Sequence, residues 1–554
     1  MPKVRLAMAQ TNPIVGDISG NLAQTIAAVD AAIENGANLV VFGEMNLTGY
    51  PIEDLAARGS FINAAEDAVK SLASTLSSEK YAGIAVVVGH LSLAVEPNGW
   101  SIAQNSATVI VDGAVIGRYS KHHLPNYAVF DEFRNFVPGD ELLTFEFHGL
   151  RLSTVICEDI WQSGGPVGQL QGAGTDVAII LNGSPFEVSK TDVRLGLVRQ
   201  IAEKHGCAVA YVNLVGGQDD LVFDGNSFFV NSSGELIARS EQFLSQMTYV
   251  DIDSASASEG VALPGMKTAA ENQSRDELAQ IWNALVLGLR DYVRKNGFQS
   301  VVLGLSGGID SAICAVIASD AIGAENVFGV SMPSKFSSDH SKGDAEDLAD
   351  RIGCHYRTEA IENFVDTFES QIELGGLASE NLQARIRGVI LMALSNNEGH
   401  LTLTTGNKTE LAVGYSTIYG DSVGGFAPIK DVEKTLVWKL ARWRNEYATA
   451  LGQTQPIPEN SISKPPSAEL RPDQVDQDSL PDYEVLDALL DAYVEQRLGR
   501  DQVIAKGFDP VTVDRIIALV DRAEWKRRQG AIGPKITGMA FGRDRRLPIT
   551  NKFK

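Results

Sequence analysis

Two stretches of alternating strand-like and helix-like sequence, separated by a break in periodicity, constrain the fold of this chain most strongly. In the first stretch, the apolar runs VRLAMAQ, NLVVFGE, GIAVVVGH and VAIILN alternate with helical patterns. This βαβ rhythm predicts a layered α/β domain over residues 1–252. Turn signals at Asp112-Gly113 and at Ser233-Gly234 predict antiparallel hairpins that join the same sheets.

The periodicity lapses over residues 253–275, where SASASEGVALPG and a polar stretch have the composition of a linker. A helix over 276–295 and the strand-like runs SVVLGL, VFGVSM and HLTLTTG follow. They predict a second domain, residues 276–554, with a doubly wound, Rossmann-like parallel sheet. Residues 455–482 hold six of the twenty prolines and have little periodicity. Such a segment is typical of a surface loop, and the alternative is a mobile cover over a reaction site.

Composition restricts the classes of partner. The 554 residues include 47 Lys and Arg against 70 Asp and Glu, a formal net charge of −23, which argues against general binding of nucleic acid or of an anionic membrane. The four cysteines show no CxxC pairing and none of the eight histidines completes a zinc pattern, so reduced thiols in a cytoplasm fit best. The absence of a signal-peptide core and of a long apolar run predicts a soluble intracellular protein.

Three residues at the ends of apolar runs form a candidate amidase site. Glu44 ends the run VVFGE, Lys121 ends GRYSK, and Cys157 ends RLSTVIC. Taken singly, a strand-end cysteine is more often a small core residue, and the two charged residues are more often solvated. Together they supply a thiol nucleophile, a base in Glu44, and in Lys121 a cation that can lower the thiol pKa. Lys121 can also bind the oxyanion beside the backbone NH of Glu158.

These residues resemble the Glu-Lys-Cys triad of the carbon-nitrogen hydrolase, or nitrilase, superfamily, and the resemblance spans about residues 4–250. It implies an αββα sandwich for the first domain and activity as a glutamine amidohydrolase. The implied glutamine-site residues are Tyr127, Glu132, Ser184 and Lys190, of which Glu132 is similar to the additional family glutamate that steadies the triad.

A glycine turn between a strand and a helix forms a candidate phosphate site. SGGIDS, residues 306–311, follows the apolar run VVLGL, so its backbone NH groups can approach an anion at a helix N-terminus. Such a turn by itself is as often only a tight connection. The loop lacks GxxxxGK[ST], and therefore the lysine that reaches the β and γ phosphates in P-loop enzymes. A cradle for pyrophosphate is the better interpretation, and it implies attack at the α-phosphate and formation of an adenylate.

In its context SGGIDS resembles the loop of the N-type ATP pyrophosphatases, and ENLQARIRG, TTGNKTELAVGYSTIYGD, KPPSAELRP, DQDSLPDYEVLD and EWKRRQ resemble NAD synthetase. The whole chain is thus similar to the glutamine-dependent NAD synthetase family, which implies amidation of deamido-NAD with ATP and with ammonia released from glutamine. Mg²⁺ is the implied cofactor, with Asp310 and Glu410 as its ligands. The implied substrate contacts are Gly304, Leu305, Ser306, Gly307, Gly308, Ile309, Asp310, Ser311, Thr405, Lys434 and Ser467 for ATP, and Asn381, Glu410 and Lys526 for deamido-NAD.

Some expectations stay open at this point. Ammonia-dependent family members often carry lysine where Ile418 stands and histidine where Trp525 stands, so the contacts to the nicotinate carboxylate are not assigned. The ten Lys or Arg among the last 33 residues form either a solvated face or a positive field for the diphosphate. The alternative functions are a related enzyme that amidates another carboxylate and a nucleotide-sensing scaffold without turnover. The resemblance also implies a homo-oligomer, with an octamer as the candidate assembly.

Overall fold

The chain divides into two compact units, Met1–Gln218 with Val222–Gln280 and Asp219–Leu221 with Ile281–Lys554. The structure, a computed structural model, describes residues 3–253, 259–263, 276–467, 469–471, 474 and 476–552. Most of the predicted linker lies outside the described residues. Within the described part of the chain, no helix combines the length and the apolar character needed to cross a membrane.

The first unit is built on two large β-sheets. One has the strand order β15-β14-β1-β2-β3-β4-β5, the other has the order β13-β12-β9-β8-β7-β6, and β10 and β11 form a separate pair. The strands are β1 (Lys3–Gln10), β2 (Leu39–Phe42), β3 (Ala85–Leu93), β4 (Ala103–Val111), β5 (Ala114–Ser120), β6 (Leu143–Phe147), β7 (Leu150–Ile156), β8 (Val177–Asn182), β9 (Ala208–Asn213), β10 (Val215–Gln218), β11 (Leu221–Asp224), β12 (Phe228–Val230), β13 (Leu236–Arg239), β14 (Gln246–Asp253) and β15 (Val261–Ala262). The helices are α1 (Ile18–Glu34), α2 (Gly59–Leu76), α3 (Glu132–Asn135) and α4 (Lys190–His205).

Alternation along the strands decides which layer each side chain contacts. Leu6 and Val41 belong to the core shared by the two sheets, whereas Ala7 and Phe42 pack with apolar residues of α1 and α2. Helix α4 packs on the second sheet, beside β9, and β8 is therefore buried along its whole length. The layers run helix, sheet, sheet, helix, which confirms the expected αββα sandwich.

Both predicted hairpins are present. β4 and β5 pair antiparallel, with Val111 opposite Ala114 across the turn. The turn residues Asp112 and Gly113 have φ values of 49° and 77°, the left-handed pair that a two-residue hairpin turn requires. β12 and β13 also pair antiparallel, around a turn in which Gly234 has φ 81°.

The second unit contains a four-stranded parallel sheet with the order β18-β17-β16-β19. The direction in which successive strands are added reverses at β16, so that β19 lies on its other side. In doubly wound sheets, the crevice at the carboxyl ends of the two strands at such a reversal is the usual ligand site. The strands are β16 (Val301–Gly304), β17 (Val327–Ser331), β18 (His355–Thr358) and β19 (Leu401–Thr402). The helices are α5 (Glu277–Lys295), α6 (Ile309–Ile322), α7 (Asp339–Ile352), α8 (Glu362–Gln371), α9 (Leu377–Glu398), α10 (Lys408–Val413), α11 (Lys434–Ala450), α12 (Glu459–Ser463), α13 (Tyr483–Leu490), α14 (Arg500–Ala505), α15 (Pro510–Arg522) and α16 (Glu524–Arg527).

Helices cover both faces of this parallel sheet. Val302 and Val330 pack against Ile386 and Leu391 of α9. Leu303, which alternates with Val302 along β16, is equally buried, and α6 packs along β16 and β17. The predicted doubly wound α/β architecture is confirmed.

Candidate functional sites

Strand ends carry Glu44, Lys121 and Cys157 in the first unit. Glu44 follows β2 by two residues, while Lys121 directly follows β5 and Cys157 directly follows β7. β2 and β5 belong to one sheet and β7 to the other, so the site draws on both sheets of the sandwich. Lys121 and Glu44 are in direct contact, and both lie near enough to Cys157 to shift the pKa of its thiol.

The Lys121 ammonium group is held between two carboxylates. Its Nζ lies 2.7 Å from Oε1 of Glu44, and 3.0 and 2.8 Å from Oε1 and Oε2 of Glu132. Burial alone would lower the pKa of Lys121, but attraction to Glu132 and Glu44 raises it well above its usual value. Burial also raises the pKa of Glu132 to about 7, although Lys121 opposes that shift. The lysine therefore provides a fixed positive charge at neutral pH.

The Glu44 carboxylate is fixed by three donors. Its Oε1 accepts from Nζ of Lys121 and from Nδ2 of Asn105, both at 2.7 Å, and its Oε2 accepts from the backbone N of Gly183 at 2.7 Å. A carboxylate oxygen has two acceptor positions, so Oε2 retains one that no hydrogen bond among the described residues fills. That position is available to a proton, which is what a general base requires.

Cys157 begins a short 3₁₀ turn, Cys157–Ile160, and its backbone is left-handed with φ 41°. Its side chain is 5% exposed. Burial raises the pKa of the thiol well above its usual value, Glu44 adds to that shift, and Lys121 opposes it. Lys121 thus acts in the expected direction, but burial and Glu44 outweigh it. The resting thiol keeps its proton at neutral pH and needs a base when it attacks.

Tyr127 and Glu132 occupy different environments around this triad. Tyr127 is half exposed, and its hydroxyl donates to Oε2 of Glu158, the residue after the cysteine, at 2.9 Å. Glu132 is buried against Lys121, and its Oε1 also accepts from the hydroxyl of Tyr50 at 2.7 Å. The position of Glu132 fits a role in holding the lysine.

Ser184 and Lys190 lie on the segment that leads into α4. The Ser184 Oγ accepts from Nε of Arg194 at 3.1 Å, and the buried Arg194 guanidinium pairs with Asp224 at 2.7 Å. Lys190 begins α4, with Nζ 3.6 Å from Glu187. Sequence reasoning missed Arg194, although its place on the apolar face of α4 was a signal, because a buried arginine needs a partner.

Asn105 and Tyr50 were also missed. Asn105 donates to Glu44 from the interior of β4, and Tyr50 donates to Glu132 from the loop after β2. An amide side chain inside the run AQNSATVIV was the signal for Asn105, since a buried polar group in a strand requires a hydrogen-bond partner. Tyr50 gave no comparable signal.

The loop between β16 and α6 carries the second candidate site. Gly307 has φ 78°, and a Cβ there would lie 2.3 Å from the backbone O of Ser341. Ser306 Oγ accepts from the backbone N of Gly308 at 3.2 Å, and Ser311 Oγ donates to the backbone O of Gly308 at 2.9 Å. The serines close the loop on itself at the N-terminus of α6, where backbone NH groups favour an anion.

We expect Gly307→Ala to deform this loop. The left-handed backbone costs roughly 1–2 kcal/mol for a residue with a Cβ, and the clash with Ser341 involves backbone that cannot turn away. Because a loss of about 1.4 kcal/mol is a tenfold change in binding, the KM for ATP should rise at least about tenfold. The matched control is Gly343→Ala in α7, where a Cβ meets nothing within 4 Å. This control should keep its KM, and an unchanged KM in Gly307→Ala would contradict the assignment.

A cavity of about 300 Å³ lies at this loop. The proline-rich segment borders it with Lys464, Pro465, Pro466, Ser467, Glu469 and Asp476. The segment is therefore part of the site's wall, and its mobility stays a prediction. The predicted site residues that line the cavity are Gly304, Leu305, Ser306, Gly308, Ile309, Asp310, Ser311, Thr405, Glu410, Lys434 and Ser467.

The carboxylates of Asp310 and Glu410 both lie near the ammonium group of Lys434. The Lys434 ammonium contacts Oδ2 of Asp310 and lies 3.5 Å from Oε1 of Glu410, and Asn407 donates to Oδ1 of Asp310 at 3.0 Å. Burial raises the pKa of Glu410 to about 8, with Asp310 adding to the shift and Lys434 opposing it. The described residues contain no group of three or more His, Cys, Asp or Glu around a metal position. Two carboxylates still fit Mg²⁺, which takes the rest of its oxygen ligands from phosphates and water.

Of the three predicted dinucleotide contacts, Glu410 alone lines the described cavity. Asn381 on α9 accepts through Oδ1 from Oγ1 of Thr417 at 2.8 Å. Lys526 on α16 donates to the backbone O of Ser416 at 2.7 Å, and burial lowers its pKa. Ser416 borders the cavity, so both side chains hold the segment next to it.

The basic residues near the C-terminus are partly used inside the unit. Arg527 is buried and pairs with Glu524 at 2.9 Å, and the buried Lys535 lies 3.3 Å from Asp544. Arg527 and Lys535 therefore belong neither to a solvated face nor to an open positive field for the diphosphate. Their charges are paired with carboxylates of the same unit.

Comparison with known proteins gives two family matches. The carbon-nitrogen hydrolase model matches residues 5–260, and the NAD synthase model matches residues 281–530. The glutamine-dependent NAD(+) synthetase of Acinetobacter baylyi is 43% identical over 100% of this chain and 99% of its own, and that of Thermotoga maritima is 42% identical over 100% of both. The solved glutamine-dependent NAD+ synthetase of Acinetobacter baumannii, in complex with adenosine diphosphate, has a TM-score of 0.76 and 41% identity, covering 99% of each chain. A Cytophaga hutchinsonii relative with 22% identity and a TM-score of 0.82, covering 99% of this chain and 98% of its own, supports the fold alone.

Proposed function

Because the chain belongs to the glutamine-dependent NAD(+) synthetase family, we propose that it uses ATP to amidate deamido-NAD with ammonia that it releases from glutamine. The products are NAD, glutamate, AMP and pyrophosphate. One observation carries the proposal: a buried Glu44-Lys121-Cys157 cluster and a phosphate loop with its own cavity occur in the same chain. A thiol amidase alone needs no phosphate loop, and an ATP pyrophosphatase alone needs no thiol.

Glutamine hydrolysis begins with the thiol of Cys157. As the sulfur attacks the carboxamide carbon, Glu44 takes the thiol proton at Oε2, where an acceptor position remains. The carbon–nitrogen bond then breaks, Glu44 returns the proton to the leaving ammonia, and a thioester remains on the sulfur. Water attacks the thioester with Glu44 again as the base, which releases glutamate and restores the thiol.

Lys121 stabilises the charge that develops in these steps. Its ammonium is buried and fixed between Glu44 and Glu132, so it is already in place when the charge develops. We assign the oxyanion to Lys121 and to the backbone NH of Glu158. Glu132 holds the lysine in place, and Tyr127, Ser184 and Lys190 bind glutamine.

The second site activates the carboxylate of deamido-NAD. One carboxylate oxygen attacks the α-phosphorus of ATP, the α–β phosphoanhydride bond breaks, and pyrophosphate leaves on the loop of residues 306–311. Ammonia then attacks the acyl adenylate, AMP leaves, and the amide of NAD forms. Mg²⁺ bound by Asp310 and Glu410 would neutralise phosphate charge, and Lys434 adds a positive charge beside that pair.

Further assignments belong to the same proposal. The A. baumannii relative is in complex with adenosine diphosphate, which supports binding of an adenine nucleotide by this chain. Thr405 and Ser467 contact ATP, and Asn381 and Lys526 serve deamido-NAD. We also propose domain limits of 1–252 and 276–554 with a linker over 253–275, a cytoplasmic location, and a homo-oligomer with an octamer as the candidate assembly.

A comparison of nitrogen sources tests the function. The enzyme is supplied with ATP, Mg²⁺ and deamido-NAD, and with either glutamine or ammonium chloride. With either nitrogen source, NAD, AMP and pyrophosphate should form in amounts equal to one another. Glutamate should form only with glutamine. Aspartate and xanthosine monophosphate as competing acceptors should give no product, and omission of Mg²⁺ should stop synthesis. ADP and phosphate as products, or amidation of a competing acceptor in place of deamido-NAD, would contradict the proposal.

A further inference from the structure

Asp159 lies two residues after the cysteine, is fully buried, and takes no part in the chemistry above. Its carboxylate accepts four hydrogen bonds. Oδ2 accepts from the backbone N of Ile156 at 3.0 Å and from the hydroxyl of Tyr119 at 2.6 Å. Oδ1 accepts from the backbone N of His122 at 3.1 Å and of His123 at 2.8 Å. These donors fill the acceptor positions of the two oxygens, so Asp159 is not placed to act as a base.

Three of the four donors lie around Lys121, and the fourth directly precedes Cys157. Tyr119 stands two positions before Lys121 and His122 stands directly after it, while Ile156 directly precedes Cys157. The carboxylate therefore joins the end of β5 in one sheet to the end of β7 in the other. Hydrogen bonds to a buried anion are stronger than neutral ones, which makes this junction stiff.

The hydrogen bonds of Asp159 also hold a strained backbone conformation at Cys157. Cys157 has φ 41°, a region that a residue with a Cβ occupies only where its surroundings hold it there. The bond from Ile156 N to Asp159 closes the turn around the cysteine and holds that backbone.

We propose that Asp159 is a positioning residue for glutamine hydrolysis: it holds Cys157 in its strained conformation and fixes the loop of Lys121 beside it, without touching substrate. The inference rests on the proposed roles of Cys157 and Lys121. It adds a residue whose charge serves the geometry of the triad and takes no part in its proton transfers.

Asp159→Asn in the full-length enzyme is the first test. An amide NH₂ in place of one oxygen would face two donors and disrupt the junction. Because a displacement of about 1 Å costs roughly 100-fold in rate, kcat for glutamine hydrolysis should fall by about that factor while KM changes little. The rate constant for alkylation of Cys157 by iodoacetamide should fall as well, whereas ammonia-supported NAD synthesis should stay at the wild-type rate. Partial unfolding would instead expose the buried thiols of Cys207 and Cys314 together with Cys157, so it would raise the number of cysteines alkylated per chain.

Two further variants complete the design. Tyr119→Phe removes one of the four bonds and keeps the carboxylate, so it should fold and lose kcat by a smaller factor, roughly threefold to tenfold. Asp176→Asn is the matched control, because Asp176 accepts from the backbone N of Arg151 at 2.7 Å at the opposite end of β7. It should keep wild-type kinetics with glutamine and wild-type alkylation of Cys157.

The outcomes separate this inference from the proposed function. Wild-type kcat in both Asp159→Asn and Tyr119→Phe would overturn the positioning role, as would a change in KM alone. If Cys157→Ala loses glutamine use while Asp159→Asn keeps its kcat, only the role of Asp159 fails. If Cys157→Ala itself still uses glutamine, the proposed amidase function fails and the positioning role fails with it.

Discussion

Cys157→Ala should abolish glutamine-supported NAD synthesis and leave ammonia-supported synthesis at the wild-type rate. Alanine is apolar and smaller than cysteine, and it supplies no nucleophile, so no thioester forms. Because binding and oxyanion contacts alone give little turnover, the glutamine-supported rate should fall at least about 10⁴-fold. Added ammonia bypasses the missing step, since the second site needs only the free amine. NAD formation measured with each nitrogen source in parallel checks the result.

Cys207→Ala is the matched control for this variant. Cys207 lies in the same unit, directly before β9, is fully buried, and has a pKa that burial raises to about 11. Its loss should cost roughly 1 kcal/mol of unfolding free energy and change neither activity. Glutamine use at the wild-type rate in Cys157→Ala would refute the thioester route. A parallel loss of ammonia-supported synthesis would refute the division of labour between the two sites.

The triad could be predicted from sequence because each member ends an apolar run. Glu44, Lys121 and Cys157 all follow strands, and site residues in α/β folds concentrate at strand ends. Asn105 and Arg194 could not be predicted in this way, since their roles depend on which strands and helices are neighbours. Asn105 reaches Glu44 because β3 alone separates β4 from β2, an order that local pattern does not specify.

The second unit gives a similar lesson. The loop of residues 306–311 was predictable because its glycines stand between a strand and a helix. β18 was not predicted, because its sequence HYRT lacks apolar alternation. The strand lies at the edge of the sheet, where His355 and Thr358 are exposed and need not be apolar. Lys434 contacts Asp310, a residue 124 positions away. The family resemblance implied that each residue contacts ATP, but neither it nor periodicity predicted their contact with each other.

Asp310→Asn should stop NAD synthesis from both glutamine and ammonia. Asp310 contacts Lys434 in the phosphate cavity beside Glu410, and an amide there removes the charge that holds the lysine and that Mg²⁺ would need. Because loss of one fixed electrostatic contact at a reacting centre costs roughly 100-fold to 1,000-fold, synthesis should fall by at least about 100-fold. Alkylation of Cys157 by iodoacetamide should be unchanged. NAD formation with each nitrogen source and the alkylation rate are the measurements.

Asp320→Asn is the matched control for this variant. It removes an ion pair from the same helix and leaves Asp310 unchanged. Asp320 binds Arg444 at 2.8 Å and accepts from Nε1 of Trp282 at 2.9 Å, away from the cavity lining. A partly exposed pair of this kind contributes about 0–1 kcal/mol, so this variant should keep wild-type synthesis with a small loss of unfolding free energy. Ammonia-supported synthesis at the wild-type rate in Asp310→Asn would exclude Asp310 from the adenylation site. Equal losses in both variants would mean that the helix, rather than the Asp310 charge, accounts for the defect.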